Sequence, residues 1–123
     1  MATSQADLNE LLQGSMSQEG VITTVAIKKA KEVFKDQARD PEREVAQITC
    51  DNGATEAHAV PGGMVYDEAA KNWTIVDKMQ AGKSVRNMQS WFRKFLQKYM
   101  TLPSVGVKVK TMVNGRGFTV IEV

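Results

Sequence analysis

The sequence predicts an α+β domain: an antiparallel sheet built from β-hairpins, with two main helices packed on one face. Three observations predict it. Two Asn-Gly pairs, Asn52-Gly53 and Asn114-Gly115, each separate runs of alternating apolar and polar residues, the pattern of half-buried strands joined by a tight turn. Two longer stretches, Ile22–Phe34 and Val85–Met100, repeat apolar residues every three or four positions, as a helix with one buried face does. The length of 123 residues suits one modest core. No internal repeat or low-complexity tract divides residues 21–123, which read as one domain.

Residues 1–20 are small and polar, with Leu8, Leu11 and Leu12 at helical spacing. They read as a flexible terminus or a short amphipathic helix that docks on the body or on a partner. From Val21 onward, Ile22, Val25, Ala26, Ala30, Val33 and Phe34 trace a helix face. Asp40-Pro41 ends that helix, because the residue before proline is pushed out of the helical region. The β-branched run Val21–Val25 admits a strand in place of the first turn.

Glu44–Cys50 and Thr55–Val60 form the first hairpin. With Asn52-Gly53 as a two-residue type I′ loop, Cys50 faces Thr55, Ile48 faces Ala57 and Ala46 faces Ala59 on one small apolar face. Gln47, Thr49, Glu56 and His58 then fall on the polar face. Pro61-Gly62-Gly63 breaks the chain, and Met64–Tyr66 with Trp73–Val76 read as a second hairpin. Lys78–Lys83 is a polar connector. Ser84 caps the second helix, whose buried stripe is Val85, Met88, Trp91, Phe92, Phe95, Leu96, Tyr99 and Met100. Leu102-Pro103 stops it. In the last hairpin a three-residue loop, Asn114–Arg116, pairs Thr111 with Thr119 and Val109 with Ile121 on a core face. The opposite face carries Lys108, Lys110, Met112, Phe118, Val120 and Glu122.

Several chemistries find no support in these residues. A single Cys50 and a single His58, without a CxxC or HxxxH pair, exclude the usual zinc arrangements, and the predicted register turns them to opposite faces, too far apart for a nucleophile and its base. Gly82-Lys83-Ser84 ends like a phosphate-binding loop, but Asp77 stands where the upstream glycine belongs. Backbone amides at that helix start could still hold one anion. No enzyme activity and no cofactor is expected. The N-terminal residues lack a signal-peptide pattern and no apolar run is long enough to span a bilayer, so the sequence reads as an intracellular, cytoplasmic protein without membrane attachment.

Charge is unevenly distributed. Residues 1–77 hold seven basic and thirteen acidic side chains, whereas residues 78–123 hold nine basic and one acidic. A basic, aromatic C-terminal half suggests a non-enzymatic protein that binds single-stranded DNA or RNA with little sequence specificity. The candidate contacts are Lys83, Arg86, Arg93, Lys94, Lys98, Lys108, Lys110, Arg116 and Phe118, with Tyr66 and Trp73 as further stacking residues. The alternative is a small protein-interaction module that meets an acidic partner, or itself as a homodimer through the edge strand Phe118–Val123.

Overall fold

The computed structural model describes residues 17–87 and 90–123. It is α+β, with seven strands and three α-helices among those residues. In order they are β1 (Gln18–Lys29), α1 (Ala30–Phe34) running into a 3₁₀ turn, β2 (Glu44–Cys50), β3 (Thr55–Ala59), β4 (Met64–Asp67), β5 (Asn72–Ile75), α2 (Lys78–Asn87), α3 (Trp91–Tyr99), β6 (Lys108–Val113) and β7 (Thr119–Ile121). The helix expected over Ile22–Phe34 is instead mostly β1. Six of the seven residues from Val21 to Ile27 are β-branched, which favours a pleated strand. A β-bulge between Ile22 and Thr24 then resets the alternation. Ile22 pairs with Cys50 and Val25 with Ile48, so two residues three apart both face the core. That is how a strand imitates a helical period.

Five strands form one sheet in the order β3-β2-β1-β6-β7. β1 gives its first half to β6, from Gln18 opposite Thr111 to Val21 opposite Lys108, and its second half to β2. Every pairing is antiparallel, so the two outer strands, β3 and β7, run parallel. They come together, and the Glu56 carboxylate on β3 accepts the Ile121 N–H of β7 at 3.0 Å. The five strands thus curl toward a partly closed Greek-key barrel, with α2 and α3 between its third and fourth strands in chain order. The same contact engages Ile121 on the β7 edge, the strand named above for pairing with a second copy.

Helix α3 buries Phe92 and Phe95 in the core with Ile22, Ile48, Val109 and Ile121. Ser90, not Ser84, caps it: the Ser90 hydroxyl accepts the Arg93 N–H at 3.2 Å. The stretch expected to be a connector, Lys78–Lys83, is already helical in α2, where Asp77 accepts the Gln80 N–H at 3.0 Å. Met88, expected in the buried stripe, lies outside the described residues. At the far end of α3 the Tyr99 hydroxyl enters the β6–β7 ladder, donating to the Glu122 carbonyl at 2.6 Å and accepting the Lys110 N–H at 3.1 Å. The β4–β5 hairpin forms as expected and closes on β1, where Glu68 accepts the otherwise unpaired Ile27 N–H at 2.7 Å. The expected segment 1–20 falls largely outside the described residues; its last three residues belong to β1.

Both barrel hairpins use one turn. At Cys50–Gly53 and at Asn114–Gly117, the fourth residue's N–H donates to the first residue's carbonyl, at 3.1 and 2.9 Å. Gly53 and Gly117 then adopt positive φ, 86° and 85°, the type I turn with a glycine bulge. For the first hairpin this shifts the predicted register by one residue: Ile48 faces Glu56, and Ala46 faces His58. A one-residue shift exchanges faces, so Glu56 and His58 turn to the core side. For the last hairpin the shift is two residues, with Thr111 opposite Ile121, and every side chain keeps its predicted face.

Candidate nucleic-acid interface

The outer face of β6 and β7 carries the residues the sequence puts there. Val109 and Thr111 are buried while Lys108 and Lys110 are exposed. Met112 faces Val120. At the hairpin tip the Asn114 side chain accepts the N–H groups of Arg116 (2.9 Å) and Phe118 (3.0 Å). This fixes the backbone that carries both candidates, and Phe118 stands 63% exposed. Phe118 is not part of the core cluster.

This face is less basic than the sequence suggests. Lys110 lies opposite Glu19 of β1, and on its other side Glu122 donates its N–H to the Lys110 carbonyl at 2.8 Å. The Glu122 carboxylate also takes Lys98 at 3.6 Å and the Ser17 hydroxyl at 3.2 Å. Glu19 was assigned to the N-terminal segment, so its place beside Lys110 could not be read until β1 was known to be a strand.

The helical cations form a second group. Arg93 on α3 donates through Nη1 to the Arg86 carbonyl at 3.1 Å, and Arg86 donates through Nε to the Gly82 carbonyl at 3.2 Å. Two guanidiniums thus gather where α2 ends, the end of a helix that favours positive charge. Lys83 lies one turn before Arg86, and Lys94 one turn before Lys98. Lys98 and Tyr99 bring α3 up to Glu122 and Lys110. Hydrogen bonds thus join Arg86 and Arg93, and Lys98 and Lys110 meet around Glu122 and Tyr99. Arg116 and Phe118 sit apart, at the other end of the β6–β7 hairpin. Among the described residues, Lys98 alone of the nine candidates has a carboxylate within 4.0 Å. The connection between β1 and β2 differs: its Lys29 and Lys31 are both held by Glu42, at 2.6 and 2.7 Å. Their hydrogen bonds and charge hold the Glu42 carboxyl down at about 2.

Tyr66 and Trp73 are packed, not presented. Tyr66 is 6% exposed, its ring centroid lies 5.1 Å from that of Trp73, and Trp73 meets Phe92 edge-on at 5.5 Å. The Trp73 indole N–H donates to the Pro103 carbonyl at 2.9 Å. Gly82-Lys83-Ser84 lies in the middle of α2, so its amides are within the helix and offer no anion-binding start. Among the described residues no three His, Cys, Asp or Glu side chains cluster to hold a metal, and no helix is long and apolar enough to cross a membrane.

One constellation escaped the sequence. His58 stacks on Trp91 with centroids 4.5 Å apart and planes 9° apart. Glu56 accepts from His58 Nε2 at 2.8 Å through one oxygen and from Ile121 through the other. The signal that could have found it is Asp51-Asn52-Gly53, which allows the same three-residue loop as the last hairpin and turns Glu56 and His58 inward. Its contacts are all internal, joining β3, α3 and β7.

Comparison with protein-family models, with curated proteins and with solved structures returns no match for this chain.

Proposed function

We propose that this protein binds single-stranded nucleic acid, DNA or RNA, with little sequence specificity and without enzymatic activity. The observation that carries this reading is Phe118, exposed beside Arg116 on the ordered hairpin between the last two barrel strands. A five-stranded, partly open Greek-key barrel is the architecture of OB-fold domains, in which the loop joining the fourth and fifth strands is one of two that bind oligonucleotides or oligosaccharides. The exposed cations Lys83, Arg86, Arg93, Lys94, Lys98, Lys108 and Lys110 offer the charges that a phosphate backbone needs, and a stacked base gives the aromatic ring a partner.

Fluorescence anisotropy of labelled single- and double-stranded oligonucleotides, at about 50 and 200 mM salt, tests it. Saturable binding that prefers single strands and weakens log-linearly with salt is expected. Absence of binding at the lower salt contradicts it. Lys94→Glu is expected to weaken binding more than Lys110→Glu, because Lys110 already lies between Glu19 and Glu122.

The competing reading is a protein-interaction module. Glu19 and Glu122 among the cations of the β6–β7 face favour it, because a mixed-sign face suits a protein partner better than a polyanion.

A further inference from the structure

On β2, Ala46, Ile48 and Cys50 belong to the core cluster and Val45 does not. Strand alternation therefore points Val45 away from the core, yet it is only 1% exposed. With Ala30, Phe34 and Ala59 it lines a groove of about 460 Å³ under the connection between β1 and β2. Arg39 and Arg43 also line the groove and are exposed. Phe34 is its one aromatic ring and is 41% exposed.

The connection is tied down along its length. Ala30 donates its N–H to the Arg43 carbonyl at 2.8 Å, and Lys31 donates to the Pro41 carbonyl at 3.0 Å. Directly after Phe34, Lys35 takes a φ of 54°, and residues with side chains held at positive φ gather at functional sites. Charge is unevenly matched on this piece. Glu42 answers Lys29 and Lys31, whereas among the described residues neither Arg39 nor Arg43 has a carboxylate within 4.0 Å. Asp40 is the one carboxylate lining the groove. Two guanidiniums without a carboxylate, beside a half-exposed ring, match a stacked base and its flanking phosphates. The buried floor is only Ala30 and Val45, far short of the roughly 800 Å² that a stable protein interface buries on each partner.

We propose that this groove is a second contact for single-stranded nucleic acid, in which one base lies against Phe34 and Arg39 and Arg43 take the phosphates beside it. The inference rests on the single-strand reading above and extends its footprint. The two contacts lie toward opposite ends of β1: the β6–β7 turn lies beyond Thr111, which faces Gln18, and the connection leaves β1 at Lys29.

Anisotropy of a labelled single strand, measured on the full chain across a salt series, tests it. Arg39→Gln/Arg43→Gln is expected to make the slope of log affinity against log salt shallower by about 1.4, two phosphate contacts at roughly 0.7 each. A merely structural role for the arginines would leave that slope unmoved. Phe34→Ala is expected to lower affinity by roughly 5- to 150-fold with the slope unchanged. Should Phe34→Ala not fold, the arginine pair, exposed at both positions, decides. Wild-type binding with an unchanged slope in the arginine variant overturns this proposal and leaves the single-strand reading standing. Absence of wild-type binding overturns both. A wild type that sediments as a dimer, with Phe34→Ala a monomer, puts a second copy in the groove and also overturns the proposal.

Discussion

The β2–β3 and β6–β7 hairpins are built on the same turn and put it to opposite uses. Each has a three-residue loop ending in a glycine at φ near 85°, and each follows the turn with strand residues that the sequence alone would divide into core and solvent faces. In the first, the register carries Glu56 and His58 inward to hold β7 and to stack on Trp91. In the last, it carries Phe118 outward, 63% exposed. A turn therefore sets the register, and parity decides whether a polar or aromatic side chain becomes structural or available.

The largest break in this comparison is expected between two aromatics. Trp91→Ala removes the ring that lies under His58 and against Phe92 and Phe95, and is expected to lower unfolding stability by about 3 kcal/mol. Phe118→Ala is expected to leave stability within about 0.5 kcal/mol of the wild type. Urea denaturation of both variants measures the difference.

The carboxylates come next. Glu56→Ala leaves the Ile121 N–H and His58 without their acceptor and is expected to cost about 1–3 kcal/mol. Glu122→Ala breaks a half-exposed pair with Lys98, for which about 0–1 kcal/mol is expected. Equal losses in thermal or chemical denaturation would erase the distinction between an inward and an outward carboxylate.

The glycines sharpen the likeness. Gly53→Ala and Gly117→Ala meet no atoms within 4 Å of the added Cβ, so only the positive φ opposes them. Each is expected to cost about 1–3 kcal/mol, and nearly the same amount.

The smallest effect lies in neither hairpin. Glu42, exposed and held by Lys29 and Lys31, titrates at about 2 instead of the ordinary 4.5. A lowered carboxylate pKa contributes stability that is full above about 4.5 and is lost as pH falls toward about 2. Wild type is expected to melt slightly above Glu42→Gln at pH 6 in low salt. The gap should close across that acid window and shrink with added salt.

Much of this was legible in the sequence because local chemistry and pattern agree there. The last hairpin's faces survived a two-residue error in register, since strand parity repeats every two residues. The hairpin expected from Met64–Tyr66 and Trp73–Val76 forms, with Asp67 and Asn72 added to its strands and Val76 left out. Helix α3 kept its stripe, with Phe92 and Phe95 buried. What could not be read depends on interruptions. The bulge after Ile22 gave a strand the spacing of a helix, and that hid both the barrel and the position of Glu19 beside Lys110. Ser90 starts a helix of its own at Trp91, while Ser84 lies inside the helix Lys78–Asn87, so what reads as one helix from Ser84 is two. For the candidate site, exposure of Lys108, Lys110 and Phe118 followed from alternation, whereas the packing of Tyr66 and Trp73 followed from a hairpin that folds back on α3.

The most direct measurement compares Phe118→Ala with wild type for binding to a labelled single strand at fixed low salt. If the last hairpin presents its ring to a base, affinity should fall by roughly 5- to 150-fold, the range of one lost stacking contact, while the slope against log salt stays the same because no cation has been removed. Unchanged affinity in a variant of unchanged stability would contradict the assignment of this hairpin to nucleic acid.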